Sequence, residues 1–62
     1  MIEKSKLMKI NEVLIATKMS RSRLYRLIKD DKFPRQRKNG PRASVWVTQE
    51  VDDWVDNVIN QH

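Results

Sequence analysis

The strongest constraint in the chain lies near its end. Val51, Trp54, Val55, Val58 and Ile59 recur at i, i+3, i+4, i+7 and i+8, the spacing that lines side chains along one face of an α-helix. Such a stripe has to be covered, and the rest of a 62-residue chain without cysteine must supply the cover. A domain of this size buries only about 60% of its unfolded surface and here has no disulfide to make up the difference. One domain over residues 1–62 is therefore expected, with large side chains as anchors. Trp46 and Trp54 read as core in preference to stacking platforms for single-stranded nucleic acid. Leu7, Val13, Leu14, Leu24, Leu27, Ile28, Phe33 and Val51 complete the expected core. Thr48 is placed to cap the last helix, and Glu50, Asp52 and Asp53 lie near its positive end.

The covering elements can be read upstream. Leu24, Leu27 and Ile28 form a second, shorter apolar stripe. Ser20 is a good cap for that helix, which should end near Asp30-Asp31 because Phe33-Pro34 forces the chain to extend. At about 100° per residue, Arg21, Ser22, Tyr25, Arg26 and Lys29 fall on a wide arc away from the stripe, and Arg23 lies on a separate flank. A shorter helix is expected over residues 12–17, capped by Asn11, with Glu12 in its first turn. Val13, Leu14, Ala16 and Thr17 would form its inner face, with Ile15 outside it. Lys18-Met19 breaks the two helices apart. Residues 1–6 look frayed, and residues 7–10 read as a short strand or an extended lead-in. Downstream, Asn39-Gly40-Pro41 is a turn signal between the basic segment before it and residues 43–47, which read as the strands of a hairpin.

Charge is strongly segregated. The net charge is +5, yet residues 18–42 hold ten Lys and Arg against Asp30 and Asp31, a local balance of +8. From Thr48 onward there are four acids, Glu50, Asp52, Asp53 and Asp56, and no Lys or Arg. A concentrated basic block is the footprint of a polyanion binder. Catalysis finds little support. The one histidine is His62, and Asp52, Asp53 and Asp56 have no third ligand, nucleophile or glycine-rich loop near them. No metal, cofactor or small-molecule ligand is expected. No apolar run reaches the length of a membrane span and nothing resembles a signal peptide, so the chain reads as soluble and cytoplasmic.

Two short helices joined by a tight break, the second one basic, form a helix-turn-helix candidate, with the hairpin as a wing. "NEVLIATKMSRSRLYRLIKDDKFPRQRK" followed by "SVWVTQEVDDWV" resembles the AlpA family of prophage regulators, which belong with the small phage excisionases in the MerR-like winged-helix group. The resemblance covers residues 7–59 and centres on "SRSRLYRLI", "KFP" and "VDDWV". Such proteins usually carry glycine where Lys18 stands, and often where Asp31 stands. The resemblance implies a mainly α fold of three helices with a small β-hairpin. It also implies a DNA-binding regulator that activates an integrase gene or steers recombination toward excision. Double-stranded DNA would be the partner, with integrase or further copies on adjacent sites as additional ones. Arg21, Ser22, Tyr25 and Arg26 are then the candidates for base edges, since arginine matches guanine O6 and N7 and serine both donates and accepts; Tyr25, beside the apolar stripe, is better placed with its ring half-buried and its hydroxyl on a phosphate. Ser20, Arg23, Lys29, Arg35, Arg37, Lys38, Asn39 and Arg42 are the candidates for phosphate or wing contacts. The competing expectation is a protein-interaction module, anti-repressor-like, working through the acidic last helix.

Overall fold

The structure is a computed structural model that describes residues 5–38, 40–41 and 43–61. In chain order it contains β1 (Leu7–Met8), α1 (Ile10–Thr17), α2 (Arg21–Lys29), β2 (Arg37–Lys38), β3 (Ser44–Val47) and α3 (Thr48–Asn60). The strands form an antiparallel sheet of order β1-β3-β2, with Leu7 opposite Val47, Met8 opposite Trp46, Arg37 opposite Val45 and Lys38 opposite Ser44. Three helices and this small sheet make the mainly helical arrangement expected of a winged helix-turn-helix fold.

β3 is the centre of the molecule. It pairs on both edges, and both α1 and α3 pack against it. Trp46, from its middle, joins Val13, Leu24, Ile28, Phe33 and Val51 in a buried cluster, with Met8, Ile10, Leu14, Met19, Leu27 and Trp54 packed around it. The two tryptophans do more than fill space. The Trp46 indole Nε1–H donates to the Pro34 carbonyl (3.1 Å), and the Trp54 Nε1–H donates to the Lys32 carbonyl (2.8 Å). Phe33, buried between those two carbonyls, meets Trp54 edge-on with ring centroids 4.9 Å apart. The extended segment leaving α2 is thus strapped to β3 and α3 by two indoles.

The helix ends explain two sequence peculiarities. Lys18 follows α1 with φ 59° and its N–H on the Leu14 carbonyl (2.8 Å). Asp31 follows α2 with φ 58°. Its N–H bonds the Ile28 carbonyl (3.1 Å), and the Lys32 N–H bonds the Leu27 carbonyl (2.8 Å). That pair of reversed bonds is the Schellman closure, which needs one left-handed residue and usually takes glycine there. Lys18 and Asp31 therefore both hold left-handed positions that glycine adopts at no steric cost. Ser20 caps α2 as expected, its Oγ accepting the Arg23 N–H (3.2 Å).

Other expectations are corrected. Asn11 does not cap α1: the helix starts at Ile10 and Lys9 is the cap, because the Glu12 carboxylate reaches back to the Lys9 N–H (2.9 Å) and Ile10 packs on the core. Thr48 does not cap α3: β3 runs directly into the helix, so extended Val47 takes the cap position. The Thr48 N–H goes to the Lys6 carbonyl (2.9 Å), and its buried hydroxyl has no partner among the described residues. Leu7 and Ala16 are exposed, since β1 is an edge strand and Ala16 lies on the outer side of α1. The α3 stripe is sealed only in its first half: Val51 is buried, Trp54 and Val55 are half-buried, and Val58 and Ile59 are 40% and 64% exposed. Of the segment expected to fray, residues 1–4 lie outside the described residues. No helix among the described residues is long and apolar enough to cross a membrane.

Candidate nucleic-acid interface

Helix α2 separates its residues sharply. Leu24 and Ile28 are buried and Leu27 is half-buried, whereas Arg21, Ser22, Arg23, Arg26 and Lys29 are all exposed. Tyr25 is 40% exposed at the border between the two sides. The hydrogen bond from Ser20 fixes the start of the helix and the Schellman closure fixes its end. The polar arc is therefore presented by a helix defined at both ends and held by three core side chains.

The arginines beside this arc have neighbours. The Arg21 guanidinium lies at 3.5 Å from Asn11 Oδ1, a long hydrogen bond to α1. Arg35, in the extended segment, pairs with Asp31. The Asp31 hydrogen bond, and then its charge, raise the Arg35 pKa above its ordinary value, so the side chain stays cationic. Arg37, on β2, pairs with Glu50 in the first turn of α3 (2.9 Å). Lys38 is exposed beside it. Asn39 and Arg42, expected at the tip of the hairpin, lie outside the described residues.

The structure thus brings Ser20, Arg21, Ser22, Arg23, Tyr25, Arg26 and Lys29 onto one helix and places Arg37 and Lys38 on the strand that follows. Arg35 lies on the segment connecting the two. It also places together residues that periodicity does not mark. A cleft of about 430 Å³ opens between α2 and the hairpin, lined by Lys9, Ile10, Tyr25, Ala43, Ser44, Val45 and Trp46. Lys9 and Ser44 are isolated polar residues in the sequence, and only the fold sets them beside Tyr25. No group of acidic or histidine side chains among the described residues could hold a metal ion.

Comparison with known proteins gives one match. The family model described as prophage CP4-57 regulatory protein (AlpA) matches residues 6–59, nearly the whole chain. Comparison with curated proteins and comparison with solved structures give no match. The matched span runs from β1 to the last turn of α3 and takes in every element just described except Asn60, the final residue of α3. The chain belongs to the AlpA family of prophage regulatory proteins.

Proposed function

We propose that the protein is a sequence-specific double-stranded DNA-binding regulator that reads its site with α2 in the major groove. The observation that carries this reading is the division of α2. Five exposed Lys, Arg and Ser side chains share a helix whose apolar residues are fully committed to the core. Folding has no use for Ser22 and Arg26, so they are available to base edges, with Arg21 and Tyr25 beside them. Arg23, Lys29, Arg35, Arg37 and Lys38 suit phosphates, and Asn39 and Arg42, which lie outside the described residues, are assigned with them to the backbone or the minor groove. The regulatory output is activation of an integrase gene or a shift of recombination toward excision. Integrase and neighbouring copies are the proposed protein partners, in the cytoplasm at the nucleoid. No catalytic step is part of this reading.

Selection of a binding site from a random duplex pool, followed by binding curves on the selected and a scrambled duplex, tests it. Arg26→Ala should cost about 1–3 kcal/mol on the selected site and relax its preference. Lys38→Ala should weaken both duplexes alike and reduce the salt slope by about one. A folded protein that binds neither duplex overturns the reading.

A second reading is favoured by the exposed Val58 and Ile59 at the end of α3, on a helix that carries acids and no Lys or Arg. Through that face the protein would dock a basic partner, as an anti-repressor does. Ile59→Ser should then abolish regulation while leaving DNA affinity intact; loss of neither would remove this reading.

A further inference from the structure

The cleft between α2 and the hairpin has a composition that a base-reading face does not explain. Its floor is apolar: Trp46 and Val45 are buried and Ile10 is half-buried. The exposed residues Lys9, Tyr25, Ala43 and Ser44 line it as well, and three of them carry polar side chains. No carboxylate among the described residues lines it. The acid nearest in sequence, Glu12, accepts the backbone N–H of Lys9 and is not among the lining residues. Lys9, Tyr25 and Ser44 are all exposed, so the polar end of each can reach a ligand.

We propose that this cleft seats one backbone phosphodiester of the duplex that α2 reads, with the flanking deoxyribose on the apolar floor. The inference rests on the DNA-binding reading above, adds Lys9 and Ser44 to it, and assigns the Tyr25 hydroxyl to the backbone and not to a base edge. A phosphodiester carries one negative charge and oxygens that only accept. It is matched by one cation plus neutral O–H donors, which is what Lys9, Tyr25 and Ser44 provide. A base edge asks instead for planar, paired donors and acceptors, which a lysine and two single hydroxyls do not supply. The position also gives the contact a purpose. Tyr25 sits one residue before Arg26 and one turn after Arg21 and Ser22 on α2, so a phosphate held there fixes how deep and in which register the polar arc enters the groove. The lining residues join α1, α2 and β3, the three elements whose mutual placement the core determines. The seat is therefore preformed and loses little entropy on binding.

The experiment combines two substitutions in the protein with a scan of the DNA. Lys9→Gln should lower affinity for every duplex by a similar factor, about fivefold to tenfold, and reduce the salt slope by about one. Ser44→Ala should lower affinity about twofold to fivefold with the salt slope unchanged. A neutral methylphosphonate is then placed at each phosphate of the selected site in turn. At one position the substitution should weaken the wild-type protein severalfold yet leave the Lys9→Gln protein nearly unaffected, because the contact is already lost. Thermal melts confirm that both variants are folded. If the wild-type protein binds the site and no phosphate shows this coupling, the seat is overturned and the DNA-binding reading stands. If Lys9→Gln alters base preference, the cleft reads bases and the assignment is likewise overturned. If the wild-type protein binds no duplex, both fall together.

Discussion

Replacing Trp54 by phenylalanine isolates the strap that holds the segment between α2 and the hairpin. The phenyl ring can keep the edge contact with Phe33, but the Nε1–H bond to the Lys32 carbonyl is lost. Lys32 is exposed, so water can replace the donor; the loss is the net value of a hydrogen bond, about 1 kcal/mol, plus a small packing term. Trp54→Ala removes the aromatic pair as well, worth about 1 kcal/mol more, and most of the remaining apolar contact. Because Trp54 is half-buried, the total belongs at the lower end of the range for large-to-small core changes, about 3 kcal/mol. Trp46 is fully buried and bonds the Pro34 carbonyl, so Trp46→Phe should already cost about 2–3 kcal/mol. A chain of this length has a total stability of about 3–9 kcal/mol. The expected order is therefore a modest loss for Trp54→Phe, a larger one for Trp46→Phe, and the largest for Trp54→Ala, which removes about a third or more of the total. Thermal melts followed by circular dichroism read it directly, at about 4–8 °C per kcal/mol for a domain this small. Slow exchange of both indole protons in the wild type would report the same bonds independently. A Trp54→Ala protein that melts with the wild type, or a Trp54→Phe protein less stable than Trp46→Phe, would refute the strap.

Further outcomes follow from single residues. Lys18→Gly should raise stability by about 0.5–1 kcal/mol, because Lys18 holds a left-handed backbone at φ 59° that glycine adopts freely; a lower melting temperature would contradict this. Thr48→Val should be neutral or stabilising by up to about 1 kcal/mol, since it replaces a buried hydroxyl that lacks a partner among the described residues with a group of similar shape, and a urea titration checks it. Glu50→Gln should leave stability nearly unchanged, because the pair it makes with Arg37 is exposed. It should raise DNA affinity at low salt by freeing that cation, and a fall in affinity would mean that Glu50 aims Arg37 instead. Across a salt titration of the wild type, log K should fall with log salt at a slope near −4 to −5 if about five phosphates are neutralised, and a flat line would remove the electrostatic reading.

What the sequence made legible was decided by short-range patterns. The α2 stripe, its Ser20 cap and its end at Asp30 depend on neighbours within one or two turns, and they appear where periodicity and capping place them. The same holds for the outward Ile15 and for the positive φ of Gly40, although Asn39 of the expected turn lies outside the described residues. The failures are all tertiary. Asn11 is the better capping residue, but Ile10 has to reach the core, so the helix begins earlier and Glu12 closes it on Lys9. Thr48 loses its capping role because β3 leads straight into α3, a junction fixed by pairing with β1. Val58 and Ile59 share the period of Val51 and Trp54, yet no described element packs over this end of α3 and both stay exposed. Periodicity identifies a face; how much of that face is covered depends on what else the chain has to offer. Lys9 and Ser44 were invisible for the same reason, being polar residues in unremarkable surroundings until the sheet brings them beside Tyr25.

The two indole bonds give the "KFP" element a mechanical meaning. Residues 32–34 connect the helix that would read bases to the strand that would reach the backbone, and a loop of that kind would ordinarily let the two move independently. Here the loop's own carbonyls at Lys32 and Pro34 are taken by side chains from α3 and β3, and Phe33 is buried between them. The connection thereby becomes part of the core instead of a hinge. Its consequence for recognition is geometric. Base contacts from α2 and phosphate contacts from β2 and the cleft would have to be satisfied together, and a misplacement of either would forfeit the other. In a domain with so little core to spend, placing both tryptophan N–H groups on this one segment trades bulk packing elsewhere for a fixed relation between helix and wing.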